Sequence, residues 1–155
     1  MGERIRNALF NIVGTDIQDA VVLDAFAGTG SLGLEALSRG ARHATFVERD
    51  RAAQAVIAKN IETLGIVGGV KLIKAPVASW LKTTEQQFDV IFADPPYDDL
   101  QLSTVGTLTK LLKPNGLMVL SYTGKGEVPT ELGVVVVDNR SYGDAVLAFY
   151  RKEGA

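Results

Sequence analysis

The sequence predicts an α/β fold, a mostly parallel sheet covered by helices on both faces and closed by an antiparallel C-terminal strand. Three observations predict it. Apolar runs of strand length alternate with helix-like segments through most of the chain. A glycine-rich turn, AGTGSLG, stands between one such run and the helix that follows it. The alternation breaks only at the end, where GVVVVDN and AVLAFYR follow each other with nothing between them but a short loop. Strand–helix alternation requires right-handed crossovers, which lay helices on both faces of a parallel sheet. A closing hairpin then adds an antiparallel edge.

Each element has its own signal. Ile5, Ala8, Leu9, Ile12 and Val13 repeat at helical spacing, which predicts a first helix over about residues 3–13. Val21-Val22-Leu23 reads as a short buried strand, and the glycine turn leads from it into SLGLEALSRG, a helix closed by Gly40. Ala44–Val47 is the next strand, ending at Glu48. Asp50 is a capping residue for a helix running to Leu64, with Ile57, Ile61 and Leu64 inward and Gly65 as the stop. Val70–Ile73 is a third strand, with a short helix around Ser79–Leu81. Phe88–Ala93 is the fourth, and Leu100–Leu112 a helix ended by Lys113-Pro114-Asn115-Gly116. Leu117–Leu120 is the fifth strand. The last two form the hairpin, with Asn139–Asp144 as its loop. A single domain of 155 residues follows, its sheet core over about residues 20–151.

Composition narrows the chemistry. With 46% apolar and 22% charged residues and no run of membrane-span length, the chain reads as cytoplasmic, without a membrane partner. It has no cysteine, which removes thiolate nucleophiles and sulfur-ligated zinc, and one histidine, His43, which argues against a Ser/His triad or a histidine metal site. A net charge of −2 does not suit a broad basic nucleic-acid surface, so any nucleic-acid contact is local or lies partly outside this chain.

DAFAGTGSLG contains Gly28-x-Gly30-x-x-Gly33, the dinucleotide fingerprint, in the strand–turn–helix setting that motif needs. Glu48 lies 20 residues after Gly28, at the end of the next strand, where a carboxylate can bind ribose hydroxyls. The pattern alone fits NAD as well as another adenosine cofactor, and a tight turn with no ligand also uses such glycines. Asp24, ahead of the glycines, favours S-adenosylmethionine, because a carboxylate suits an ammonium better than a pyrophosphate. Ligands of such sheets bind beyond the carboxyl ends of the strands, and a second motif lies at such an end.

That second motif is FADPPYD, residues 92–98. Pro95 removes a ladder donor, and Pro96 holds the preceding residue out of the helical region. Asp94 and Tyr97 are thereby fixed on either side of a stiff, non-helical segment. Such a segment can hold an exocyclic amine of a purine. The amine's lone pair is delocalised into the ring, so acceptors around its N–H groups favour the geometry that attack requires. Asp94 supplies one acceptor, the Pro95 carbonyl a second, and the Tyr97 ring a stacking face worth about 1–3 kcal/mol. A capped turn with a packed tyrosine is the plainer alternative. Hydride transfer has no use for this motif.

Taken together, DAFAGTGSLGLEALSRGA, DPPY, the opening ERIRNALFNIVG and the late SYGDAVLAFYRK resemble the RsmD family over nearly the whole chain. Its members are bacterial methyltransferases that modify guanine N2 in small-subunit (16S) ribosomal RNA. DPPY alone is shared with adenine-N6 and other amino methyltransferases; the opening and closing segments are the more specific part. The resemblance implies a Rossmann-like class I S-adenosylmethionine methyltransferase fold, seven-stranded, with an antiparallel C-terminal strand. It places Asp24, Phe26, Ala27, Gly28, Gly30, Gly33, Glu48, Arg49 and Val77 in the cofactor site, and Asp94, Pro95, Pro96 and Tyr97 in the catalytic motif. It implies action on ribosomal RNA, free or within the small subunit or its assembly intermediate; a monomer without a metal is expected.

The sequence departs from the family pattern in two places. Members usually carry a further basic segment ahead of the ERIR-type helix, whereas here the chain opens at MGERIR. Many relatives of the fold also place an acid or amide after the third strand to bind the adenine amine. The sequence there is KAPVAS, which leaves adenine to backbone groups around Val77 and to apolar packing. Arg4, Arg6 and Tyr142 are candidate RNA contacts, although a solvated helix face accounts for the arginines equally well and a packed turn tyrosine is the preferred reading of Tyr142. Trp80 and His43 read as packing or surface residues. Two other functional classes stay open on the residues alone: an NAD-dependent oxidoreductase and a non-catalytic RNA-binding module.

Overall fold

The computed structural model of the chain describes residues 1–96, 99–123, 130, 134–143 and 145–154. Seven strands form one sheet: β1 (Val21–Ala25), β2 (His43–Val47), β3 (Val70–Ile73), β4 (Phe88–Ala93), β5 (Leu112–Thr123), β6 (Val134–Tyr142) and β7 (Ala145–Lys152). Their order is β3-β2-β1-β4-β5-β7-β6. The first five are parallel and β7 runs antiparallel to both β5 and β6. The chain winds outward from β1 through β2 to β3, then returns to place β4 on the other side of β1. That reversal opens a crevice above the tips of β1 and β4, the position where ligands bind in open α/β sheets.

Among the described residues five α-helices cover the sheet: α1 (Glu3–Val13), α2 (Ser31–Ser38), α3 (Arg51–Thr63), α4 (Val77–Leu81) and α5 (Leu102–Leu108). On one face Leu9, Phe10 and Val13 of α1 and Leu32 and Ala36 of α2 pack onto Val22, Val90, Phe92, Val119 and Phe149. Phe10 meets Phe92 edge-on at 5.4 Å between ring centres. Ile57 of α3 closes over Ala44 and Phe46. On the other face Trp80 of α4 and Val105 and Leu108 of α5 pack onto Leu23, Ile91, Met118 and Tyr150. Residues alternate across each strand, so Asp24 shares the α1 and α2 face with Val22 and Phe92. No helix among the described residues is long and apolar enough to cross a membrane.

The structure departs from the sequence expectations at three places. β1 runs on to Ala25, so Asp24 is within the strand, because Asp24 and Ala25 still pair with Phe92 and Ala93 of β4. β5 begins at Leu112: the Lys113-Pro114-Asn115-Gly116 stretch, read as a helix stop, is a strand irregularity where the register with β4 shifts between Phe88 and Val90. Asn115 takes a left-handed φ of 66° there. The helix before it is shorter, Leu102–Leu108, and ends in a 3-10 turn at Thr109–Leu111. Finally, Asn139–Tyr142 belong to β6, with Tyr142 paired to Ala145, so the hairpin turn is much tighter than expected.

At Gly33 the α2 helix lies close against the sheet. A Cβ at this position would stand 2.3 Å from Cε1 of Phe46, a fully buried ring. Alanine favours a helix over glycine by about 1 kcal/mol, but overpacking a core costs about 1–3 kcal/mol. Gly33→Ala is therefore expected to lower stability by roughly 1–2 kcal/mol, read as a reduced denaturation midpoint with an unchanged urea m-value.

Candidate active site

The tip of β1 passes into a turn with unusual backbone geometry. Phe26 has φ 55°, a left-handed conformation that costs a bulky residue energy, followed by Gly28 at 59° and Gly30 at 81°. The turn is tied down on every side. Ala27 N–H donates to the Val47 carbonyl at 3.0 Å, Gly30 N–H to the Ala27 carbonyl at 2.8 Å, and Asn60 Nδ2 to the Thr29 carbonyl at 3.3 Å. The last bond ties Asn60 of α3 to the turn.

Gly30 starts α2 but has no side chain with which to cap it. Asp24 supplies the cap from the neighbouring strand: the Gly33 N–H donates to Asp24 Oδ2 at 2.9 Å. Asp24 is 1% exposed. Burial pushes its carboxyl up to about 8; the Gly33 bond opposes this, and the nearby charges of Asp94 and Glu48 add to it. Glu48, following β2, takes the Gly28 N–H on Oε1 at 2.8 Å and the Asp50 N–H on Oε2 at 2.7 Å. It thus clamps the glycine turn to the start of α3. Asp50 in turn caps that helix, accepting from Ala53 N–H at 2.9 Å. Each carboxylate oxygen retains a second lone pair for a ligand hydroxyl.

Asp94 follows β4 directly. Burial raises its carboxyl above the ordinary range, opposed by the chain's amino-terminal ammonium and by a hydrogen bond from the Ser121 side chain. Pro95 is buried and Pro96 half-buried. The Pro96 carbonyl accepts the Asp99 N–H at 3.0 Å, while the Pro95 carbonyl has no hydrogen bond among the described residues. Tyr97 lies outside the described residues.

These groups line one cavity of about 580 Å³. Asp24, Phe26, Ala27, Gly28, Glu48, Arg49 and Val77 face it from the cofactor set, and Asp94, Pro95 and Pro96 from the catalytic set. Gly30 and Gly33 stand behind its wall: Gly30 lets the turn close and Gly33 admits Phe46 and holds Asp24. Three carboxylates around one cavity favour a cationic ligand over a pyrophosphate. Arg4 is exposed, and Arg6 reaches Glu35, 3.9 Å away, which also pairs with Arg39. Tyr142 packs against the α1-side core. None of these three lines the cavity. Trp80 is a core residue, in ring contact with Phe88, and His43 sits at the start of β2.

Sequence reasoning missed Ser121, Tyr122 and Thr123 at the end of β5, and Ile5, which brings α1 to the cavity. A signal for the first group was present, since SYT follows the apolar run LMVL, as DPPY follows FDVIFA. Which strand neighbours β4 is a matter of topology and could not be counted along the chain.

A family model described as Conserved hypothetical protein 95 matches residues 1–151. Across 98% of this chain and 86% of its own length, the "Putative rRNA methyltransferase YlbH" of Bacillus subtilis is 32% identical. The "Ribosomal RNA small subunit methyltransferase D" of Escherichia coli K12 is 42% identical over 95 residues, 61% of this chain and about half (48%) of that protein. Among solved structures, the "Putative methyltransferase yhhF from Escherichia coli" superposes with a TM-score of 0.91 at 32% identity, over 99% of this chain and 86% of that one.

The Asp24 carboxyl yields a pH signature. Its folded value of about 8 lies above the ordinary carboxylate value of 3.8, so between these limits the folded chain binds more protons than the unfolded one. Asp24 therefore costs increasing stability as pH rises from about 4 to about 8. Asp24→Asn keeps an acceptor for Gly33 N–H but does not titrate. The expected result is that stability of Asp24→Asn relative to the original chain increases from pH 5 to pH 8 in urea titrations. A pH-independent difference would show that another group carries the linkage.

Proposed function

This chain belongs to the RsmD family, described as Conserved hypothetical protein 95, and on that premise we propose that it transfers a methyl group from S-adenosylmethionine to the exocyclic N2 amine of a guanine in 16S ribosomal RNA. The observation that carries the reading is that Asp94 and the Asp24–glycine turn open into one cavity at the β1/β4 switch point. When bound, S-adenosylmethionine supplies an electrophilic methyl group on a sulfonium.

The side chains present suit that cofactor. Asp24 offers a buried carboxylate to the ammonium of its methionine part, and that contact restores the ionised form that burial disfavours. Glu48 accepts from ribose hydroxyls through its remaining lone pairs. Phe26, Val47 and Val77 give apolar surface for an adenine, and Pro76 opens α4 beside them. Asp94 and the Pro95 carbonyl accept the two N–H groups of the target amine, favour its pyramidal form and take part in removing its proton. The prolines keep both acceptors still, and positioning of this kind is a large share of catalysis. Tyr97 serves as the stacking face for a base brought out of the RNA fold. In this reading the chain acts on ribosomal RNA in the cytoplasm, as a monomer.

The test is transfer of labelled methyl onto unmodified 16S RNA, onto assembled small subunits and onto an assembly intermediate, followed by mapping of the modified base. Label on a guanine N2 is the expected result; label on an adenine N6 would redirect the acceptor assignment. Asp94→Ala is expected to reduce turnover by about 100-fold or more while S-adenosylhomocysteine still binds by calorimetry. Undiminished turnover in that variant would remove Asp94 from the mechanism.

A further inference from the structure

We propose that Ser121, at the carboxyl end of β5, is a positioning residue that fixes the Asp94 carboxylate so that one oxygen faces the incoming amine; the role rests on the function proposed above. Three observations converge on it. Ala93 of β4 pairs with Leu120 of β5, so the next residues, Asp94 and Ser121, are direct neighbours across the two strand ends. Phe92 and Val119, two residues earlier on each strand, pack into the same core on the α1 side, so both side chains stand on the face that carries Asp24. Both also line the cavity, with the Ser121 side chain near enough to oppose the upward effect of burial on the Asp94 carboxyl.

The prolines hold the Asp94 backbone still but do not stop rotation of its carboxylate group. Asp94 has left the strand and begins the Pro-Pro segment, whereas Ser121 is held in β5 and paired on its other side to Leu147 of β7. A carboxylate has about four lone-pair directions, and rotation about its last bond exchanges the two oxygens. One hydroxyl bonded to one oxygen ends that exchange and leaves the other oxygen for the substrate. The same bond favours the ionised carboxylate against the effect of burial, and only the ionised form accepts on both oxygens. Among the described residues, Asp24 from β1 and the amino-terminal ammonium ahead of α1 act on Asp94 or are acted on by it, and Glu48, Arg49 and Tyr122 line the same cavity. Ser121 is the neutral donor from β5.

Ser121→Ala and Ser121→Thr separate this role from simple packing, since threonine keeps the hydroxyl and suits a strand. With all chains sharing one N-terminus, Ser121→Ala is expected to lower kcat at pH 7 by about ten-fold, with S-adenosylhomocysteine affinity within about two-fold of the original. The acidic limb of the kcat profile should move up by about one pH unit, so that activity partly returns at high pH. Ser121→Thr should restore both the rate and the limb. Carbon-13 carboxyl NMR gives a second readout that needs no reaction, the Asp94 signal being identified by its loss in Asp94→Asn. In Ser121→Ala the Asp94 titration should move in the same upward direction. An unmoved limb and unmoved titration in Ser121→Ala, or a Ser121→Thr chain as impaired as Ser121→Ala, would overturn the inference. A moved Asp94 titration in a chain that methylates no RNA would overturn the proposed function and uphold the contact.

Discussion

A carboxylate buried with one backbone N–H for a partner sets the terms for the rest of this molecule. Asp24 gives up hydration at the tip of β1 and receives in return the Gly33 N–H of α2. One bond of this kind does not offset the burial of a charge, so the group holds its proton well above the ordinary carboxylate range. The arrangement is costly to the empty protein and useful to a protein that binds a cation. It also explains the glycines: the α2 helix must come close enough for its third N–H to reach the strand, which requires that nothing project from Gly33 toward Phe46. Packing and electrostatics at this point are the same constraint.

The other parts of the cavity follow from the order of the strands. Because β4 returns to lie beside β1, the DPPY segment opens onto the crevice that the glycine turn also faces. Because β5 lies beside β4 in register, the side chain beyond the DPPY strand's last paired residue has Ser121 beside it. Glu48 adds a mechanical link, joining the turn after β1 to the start of α3 through two backbone N–H groups. The site is thus built from strand ends and helix starts, where few backbone degrees of freedom remain, and its acceptors keep their places before any ligand arrives.

Distant pairings hold the walls of this site. α1 reaches the cavity through Ile5 and is packed onto the sheet by Leu9, Phe10 and Val13. Arg151 of β7 makes a two-bond contact with Asp16, at 3.0 and 3.1 Å, and also donates to the Asn115 carbonyl. A half-exposed pair of this kind contributes at most about 1 kcal/mol, so the apolar face of α1 does most of the fastening. Asp89 of β4 fastens the opposite end of the strands, accepting the Val21 N–H at 2.8 Å and lying 3.4 Å from Lys113 Nζ.

The strands, the glycine turn and the acidic residues around it were legible in the sequence because each depends on local chemistry. Runs such as FDVIFA carry their own burial signal, a left-handed turn requires glycine, and two prolines stiffen the chain wherever they stand. Strand ends were less legible: Asp24, Ala25 and Asn139–Tyr142 look polar or turn-like in isolation, and it is the partner strand that keeps them in the sheet. The part played by Ser121 and the separation of Gly30 and Gly33 from the cavity itself could not be read at all. By itself the sequence determined which residues have acceptor oxygens and which backbone segments are stiff. Only the tertiary structure decided which of them share a face, because neighbours across a sheet are chosen by strand order and register, and these depend on contacts between residues far apart in the chain.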